Sequence, residues 1–276
     1  MLPFVCVDVD GTLIGSSGVP SDAVMETIGH ALSKGQQLVL STARGAMGPT
    51  FRYAEMLNPN GWHIFHSGGA LLHTGSDEIV EHALPQGIVD LALEVSQENS
   101  WALEFYSARD YRVGDLTGPA ATLHHTGEPA LAVAHSKMLG VEHVSGGPSD
   151  LSGGIVRVQF VVGESSLSEV QEAMSGFGKL TAATSPALPG VAFISITAEG
   201  VDKGSAISYL ASVMGIDLGD VMMVGDGLND LDALEVVGHP VAMGNAHADV
   251  ISCSEYVVKH VDENGLCEAI ELSWEL

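Results

Sequence analysis

Apolar residues recur along this chain in two rhythms. Near the amino end, runs of about four alternate with longer stretches in which apolar positions return every three or four residues. Phe4, Val5, Cys6 and Val7 form a run closed off by Pro3 and Asp8, which predicts a buried strand. Ser21 offers an N-cap, and Val24, Ile28, Ala31 and Leu32 follow at helical spacing until Gly35. A second strand is expected at 37–40, a helix over 47–56 and a third strand at 62–66. Strand, helix, strand, helix, strand implies a parallel sheet with helices on its faces.

The rhythm changes in the middle. A helix is expected near 87–96, strands at 102–106, 132–135 and 155–162, and a helix over 166–174. A turn at Pro186 and Pro189 and a strand at 192–196 complete this part, which reads as an α+β insert with its own sheet. Regular alternation then resumes. Ala206, Ile207, Leu210, Ala211 and Met214 mark a helix stopped by Gly215, with strands at 221–224, 240–243 and 256–258, a helix over 231–237 and a terminal helix. The expected organisation is one α/β domain built from residues 1–83 and 197–276, interrupted by an α+β domain at 84–196.

Charge narrows the partners. Asp and Glu number 35 against 10 Lys and Arg, a net charge of −25 with no basic cluster. Such a chain repels nucleic acid and anionic membrane, so neither is expected as a partner. Cys6, Cys253 and Cys267 are odd in number and show no metal-ligand spacing; buried, reduced thiols are expected. Asp8 arrives too early for a signal peptide and no apolar run is long enough for a bilayer, so a soluble, cytoplasmic protein is expected.

Four clusters carry candidate chemistry, three of them just past the carboxyl ends of expected strands, where α/β enzymes bind ligands. In Asp8-Val9-Asp10-Gly11-Thr12, two carboxylates at positions i and i+2 can project to one side, one to attack and one to manage protons. The plainer reading is a solvated Asp-Gly turn. Ser41-Thr42-Ala43-Arg44 supplies a hydroxyl and amides able to hold phosphate oxygens, or simply an N-cap. In Asp202-Lys203-Gly204 a cation stands at a helix start, against the helix dipole, which suggests that Lys203 serves an anion rather than solvent. Gly225-Asp226-Gly227-Leu228-Asn229-Asp230 places hard oxygen donors suited to magnesium in one loop, or caps the next helix.

Together and in this order, the clusters resemble those of the haloacid dehalogenase superfamily. The Cof-type, or HAD-IIB, branch is the nearest likeness, on Gly69-Ala70-Leu71, Gly200 to Gly204 and Val241-Ala242-Met243-Gly244-Asn245-Ala246. The resemblance implies a Rossmann-like core with an inserted type 2 cap, because the large insert falls between Thr42 and Lys203. It also implies Mg²⁺ as cofactor and a small phosphorylated metabolite as partner. Asp8 would be nucleophile and metal ligand, and Asp10 general acid/base and metal ligand through its carbonyl. Thr42 and the amides of Val9 and Ala43 would bind the phosphoryl group. Lys203 would neutralise Asp8 and phosphate, Asp226 and Asp230 would complete the metal site, and Asn229 would contact phosphate. The chain departs from the usual pattern at Ala43, where Gly is common, and at Gly68, where Asn is common.

The implied activity is hydrolysis of a small phosphomonoester, such as a sugar phosphate or phosphorylated cofactor, through an aspartyl-phosphate. A phosphomutase using the same intermediate and a non-catalytic phosphoester-binding protein are the alternatives. No HExxH or P-loop pattern occurs, so zinc and P-loop kinase chemistry are not expected. The insert's cations, Arg109, Arg112, Lys137, Arg157 and Lys179, are each expected to be solvated at the surface.

Overall fold

The computed structural model describes residues 1–108, 123–125, 129–139, 144–185 and 188–276. They divide into two compact units, one made of Met1–Ala43, Arg52–Glu78 and Asp202–Leu276, the other of Arg44–Phe51 and Ile79–Val201. Among the described residues no helix is long and apolar enough to cross a membrane.

The first unit is built on a five-stranded sheet in the order Tyr256–Val257, His239–Ala242, Val221–Gly225, Phe4–Val7, Gln37–Leu40. All neighbours are parallel. Phe4, Val5, Cys6 and Val7 are wholly buried, as the continuous apolar run requires of a strand covered on both faces. Each such side chain taken fully out of water contributes roughly 1.5–3 kcal/mol. Burial also pushes the Cys6 thiol up, with Lys203 opposing, so it stays a neutral core residue; Cys253 and Cys267 are free but only half-buried.

Helices sit where the 3.6 rhythm places them. Ser21 caps Asp22–Ser33 by accepting from the Val24 amide at 3.2 Å. Lys203–Met214 begins with Asp202 as cap, accepting from the Ser205 amide at 2.7 Å, and ends at Gly215 in the left-handed region. Gly204 lets this helix meet the start of Leu231–Val236, since a Cβ there would lie 2.2 Å from the Asp232 carbonyl.

At the sheet's edge, a hairpin of Trp62–Phe65 and Ala70–His73 runs beside Gln37–Leu40 and bridges it at Ser41 and Ile64. The fully buried His63 imidazole fills the gap in the ladder: Nδ1 accepts from the Leu40 amide at 3.0 Å, and Nε2 donates to the Asn58 carbonyl at 2.9 Å. The Thr42 amide then donates to Ile64 and the Thr42 carbonyl accepts from Ser67, both at 3.0 Å.

The second unit carries a six-stranded sheet in the order Lys179–Ser185, Leu188–Thr197, Ile155–Gly163, Ala102–Ser107, Leu123–His125, Val144–Ser145. Neighbours are antiparallel except the last pair. Strand alternation separates two faces. Leu103, Phe105, Val158, Phe160, Ala192 and Ile194 pack with Val89, Ala92 and Val170 of the helices Gln86–Asn99 and Leu167–Ala173. On the opposite face Ala102, Val161, Val191 and Phe193 pack with Ala132.

Several expectations need correction here. Residues 132–135 are not a strand but part of the helix Pro129–Leu139. Ala132, His135 and Ser136 are buried while Val133 is exposed, a helical rather than alternating pattern, in an alanine-rich stretch that favours helix. Pro189 lies inside the strand Leu188–Thr197 rather than in a turn, and Pro186 lies outside the described residues. Arg157 is not solvated: it is 6% exposed, with its guanidinium 4.0 Å over the Tyr106 ring. Among the other insert cations, Lys137 is exposed and Lys179 half-buried, while Arg109 and Arg112 fall outside the described residues.

Candidate active site

Strand order reverses at Phe4–Val7: the chain goes next to Gln37–Leu40 on one side, and later to Val221–Gly225 on the other. A crevice outside the carboxyl ends of two such neighbours is where doubly wound sheets hold ligands. Val7 pairs with Val224, so Asp8, one residue on, and Asp226, just past the neighbouring strand's last residue Gly225, leave the sheet at the same end. The Asp8 amide still donates to the Val224 carbonyl at 3.1 Å. The chain then folds into one tight turn, with the Leu13 and Ile14 amides donating to the Val9 carbonyl at 3.0 and 2.9 Å.

Lys203 joins these strand ends from its helix. Its ammonium donates to Asp8 Oδ1 and to Asp230 Oδ1, each at 2.6 Å, and its side chain is fully buried. Asp230 is wholly buried, and its second oxygen accepts from the Asp226 and Gly227 amides at 3.1 and 3.0 Å. Carboxylate oxygens of Asp8, Asp226 and Asp230 lie within 4.8 Å of one another.

Electrostatics follow from the crowding. Burial raises the Asp8 carboxyl well above the usual range, the Asp230 charge raises it further, and Lys203 opposes both. Burial and Asp230 lift Asp226 to about 6, against the Thr12 hydrogen bond and Lys203. For Lys203, burial favours the neutral amine, but Asp230 and Asp8 outweigh it and hold the ammonium. When all three carboxylates are ionised, the one ammonium leaves two negative charges uncompensated.

A divalent cation fits that donor set: hard oxygens only, clustered, with a charge deficit of matching sign and size.

Direct contacts thus bring together Asp8, Lys203, Asp226 and Asp230 of the residues singled out in the sequence. Asp10 stands two residues past Asp8, exposed, and bridges to Ile14; Val9 between them is buried. Thr42 is buried at the end of the neighbouring strand, with Ala43 half-buried beyond it. Asn229 is half-buried beside Asp230. Sequence reasoning gave no role to Thr12 or to Asn245, although both bond to the Asp226 carboxylate, at 3.2 and 3.3 Å. The signal for Asn245 was its place just past the expected strand 240–243, next in order after the expected strand 221–224 that leads into Asp226.

Such a fold and centre define a doubly wound α/β protein with an acidic cluster able to hold a metal ion at the switch point of its sheet. The chain belongs to the haloacid dehalogenase-like hydrolase family, matching it over residues 5–270. It is 26% identical to the Bacillus subtilis protein YxeH over 98% of this chain and 97% of that one. It is 27% identical to the 5-amino-6-(5-phospho-D-ribitylamino)uracil phosphatase YwtE of Bacillus subtilis, covering 97% and 96%. A haloacid dehalogenase-like hydrolase from Bacteroides thetaiotaomicron superposes with a TM-score of 0.80 at 24% identity, covering 99% of each chain. The subclass IIB sugar phosphatase BT4131 superposes with a TM-score of 0.78 at 20% identity, again over 99% of each. These superpositions establish the shared fold: a parallel-sheet core and a second unit with its own α+β sheet.

Proposed function

We propose that the chain is a cytoplasmic, Mg²⁺-dependent phosphatase that hydrolyses a small phosphomonoester through a phosphorylated Asp8. The observation that carries this reading is the Asp8 carboxylate held by the buried Lys203 ammonium at 2.6 Å, with Asp226 and Asp230 around it. The phosphatase and sugar phosphatase names of similar chains support the substrate class.

Asp8, the Asp10 carbonyl, Asp226 and Asp230 would hold the cation. When bound, Mg²⁺ supplies positive charge against the carboxylates and the phosphate oxygens. Asp8 Oδ attacks phosphorus, and the ester oxygen leaves with its bonding pair, taking a proton from the Asp10 carboxyl. Lys203 opposes the burial that raises Asp8 and opposes charge on the phosphoryl oxygens. Thr42, the Val9 and Ala43 amides and Asn229 hold those oxygens. Water then attacks phosphorus of the acyl phosphate, Asp10 takes its proton, and inorganic phosphate leaves as the Asp8 carboxylate is restored.

The test is phosphate release from a panel of sugar phosphates and phosphorylated cofactors, with and without Mg²⁺, for the native chain and Asp8→Asn. Mg²⁺-dependent release that falls at least about a thousandfold in Asp8→Asn is expected, since the nucleophile is then gone. Full release by Asp8→Asn would overturn the role of Asp8. Release only after adding a sugar bisphosphate, with isomerised rather than dephosphorylated product, would replace the phosphatase by a phosphomutase.

A further inference from the structure

Strand His239–Ala242 lies parallel to Val221–Gly225 with Ala242 opposite Gly225, so the chain beyond it passes beside the acidic loop. The Met243 amide donates to the Gly225 carbonyl at 3.0 Å, and the His247 amide to the Asp226 carbonyl at 2.9 Å. Half-buried Asn245 stands between these two anchors.

Its amide group can point only one way. Oδ1 accepts from the Val261 amide at 2.9 Å, so Nδ2 must face the other side. There its two hydrogens meet two acceptors, the Gly11 carbonyl at 2.8 Å and Asp226 Oδ2 at 3.3 Å. The other Asp226 oxygen, Oδ1, accepts from the Thr12 hydroxyl at 3.2 Å. Gly11 makes room: its φ is +82°, and a Cβ there would lie 2.1 Å from Asp226 Oδ2. One carboxylate is therefore gripped on both oxygens, by donors from the turn after the first strand and from the loop after the fourth.

We propose that Asn245 is a positioning residue which, with Thr12 on the opposite oxygen, aims the Asp226 carboxylate at the metal. The inference rests on the reading of Asp226 as a metal-holding group. A ligand held in this way loses little freedom on binding, and outer partners of this kind tune metal affinity by about 10–100-fold. Neither residue touches substrate in this account. Because Asn245 bonds both Gly11 and Asp226, it couples the turn that carries Asp8 and Asp10 to the loop that carries Asp226 and Asp230.

The test uses the full chain and Mg²⁺ alone, by titration calorimetry without substrate, backed by kcat and KM for p-nitrophenyl phosphate. Asn245→Asp keeps the shape but turns an oxygen toward Gly11 and Asp226; Thr12→Val keeps the shape and removes the hydroxyl. Each is expected to weaken Mg²⁺ binding by about 10–100-fold, with KM at saturating Mg²⁺ within about threefold of native. Thr12→Ser keeps the donor and should bind Mg²⁺ as the native chain does. Native-like Mg²⁺ affinity in folded Asn245→Asp overturns the inference alone; if that variant does not fold, native-like affinity in Thr12→Val does the same. Absence of Mg²⁺ binding by the native chain overturns the functional reading as well.

Discussion

Acid should weaken the core unit through a residue with no part in the chemistry, His63. Its imidazole is wholly buried between the sheet edge and the hairpin, accepting at Nδ1 and donating at Nε2. Protonation would put a hydrogen on Nδ1 facing the Leu40 N–H, and burial alone already disfavours the cation. Burial thus lowers the pKa from 6.5 to about 4, despite the Asn58 bond. A base whose folded pKa is depressed contributes its full stability above 6.5, and loses it as pH falls toward 4. The whole effect is roughly 3.4 kcal/mol at about 1.36 kcal/mol per unit, and about 2 kcal/mol falls between pH 7.5 and 5. Asp8 and Asp226, raised in the fold, push the other way, so raw stability is not the readout. Denaturant unfolding of native and His63→Gln chains at both pH values gives the difference of differences. The native advantage should shrink by about 2 kcal/mol at pH 5. An unchanged advantage, or a His63 pKa near 6.5 by NMR in the folded chain, would refute the reasoning.

The remaining predictions concern buried charge. Lys203→Met leaves Asp8 and Asp230 facing each other without a cation, and should cost roughly 3–5 kcal/mol of metal-free stability; a loss below about 1 kcal/mol by denaturant unfolding would contradict the ion-pair geometry. In the second unit, Glu104 is fully buried and accepts from Tyr106, Gln159 and His135 at 2.5, 2.9 and 2.6 Å. Glu104→Ala removes a buried acceptor that three donors share and should destabilise that unit by roughly 3–5 kcal/mol, read as loss of exchange protection in 155–163, with the core amides unaffected. Equal loss in both units would refute the local assignment.

What could be read from sequence depended on how strongly burial writes itself into residue choice. Phe4 to Val7 sits in a sheet covered on both faces, so every position is apolar and the strand announces itself. Strand Lys179–Ser185 carries Thr, Ala and Ser at half-buried or exposed positions and has no alternation to detect. Residues 132–135 misled because Ala, Val and Ala in a row satisfy a strand pattern, while the decisive fact, that 132, 135 and 136 turn inward together, is tertiary. Asp8, Lys203, Asp226 and Asp230 were legible because their order along the chain is that of a family's motifs. Asn245 was not assigned a role, because its partners Gly11 and Val261 are 234 and 16 residues away. Nor can a chain of letters show that His63 supplies a ladder hydrogen bond, since a histidine in a strand usually just packs.

The charge of the whole chain and the chemistry of its centre pull in opposite directions, and distance decides between them. A net charge of −25 repels a phosphate ester at long range. At physiological ionic strength that field decays over about 8 Å, so surface carboxylates act weakly at the end of the central strands. Inside, the Lys203 ammonium is fully buried, 2.6 Å from two carboxylates, in a medium where charge is screened far less. On the proposed reading, the local deficit left by Asp8, Asp226 and Asp230 would draw a divalent cation from both the interior and the surface, and that cation would cancel the deficit and so lower the repulsion a phosphate meets. On that reading an acidic surface and an anionic substrate are compatible because the cation would offset the carboxylates where the phosphate sits, while the surface charge is screened.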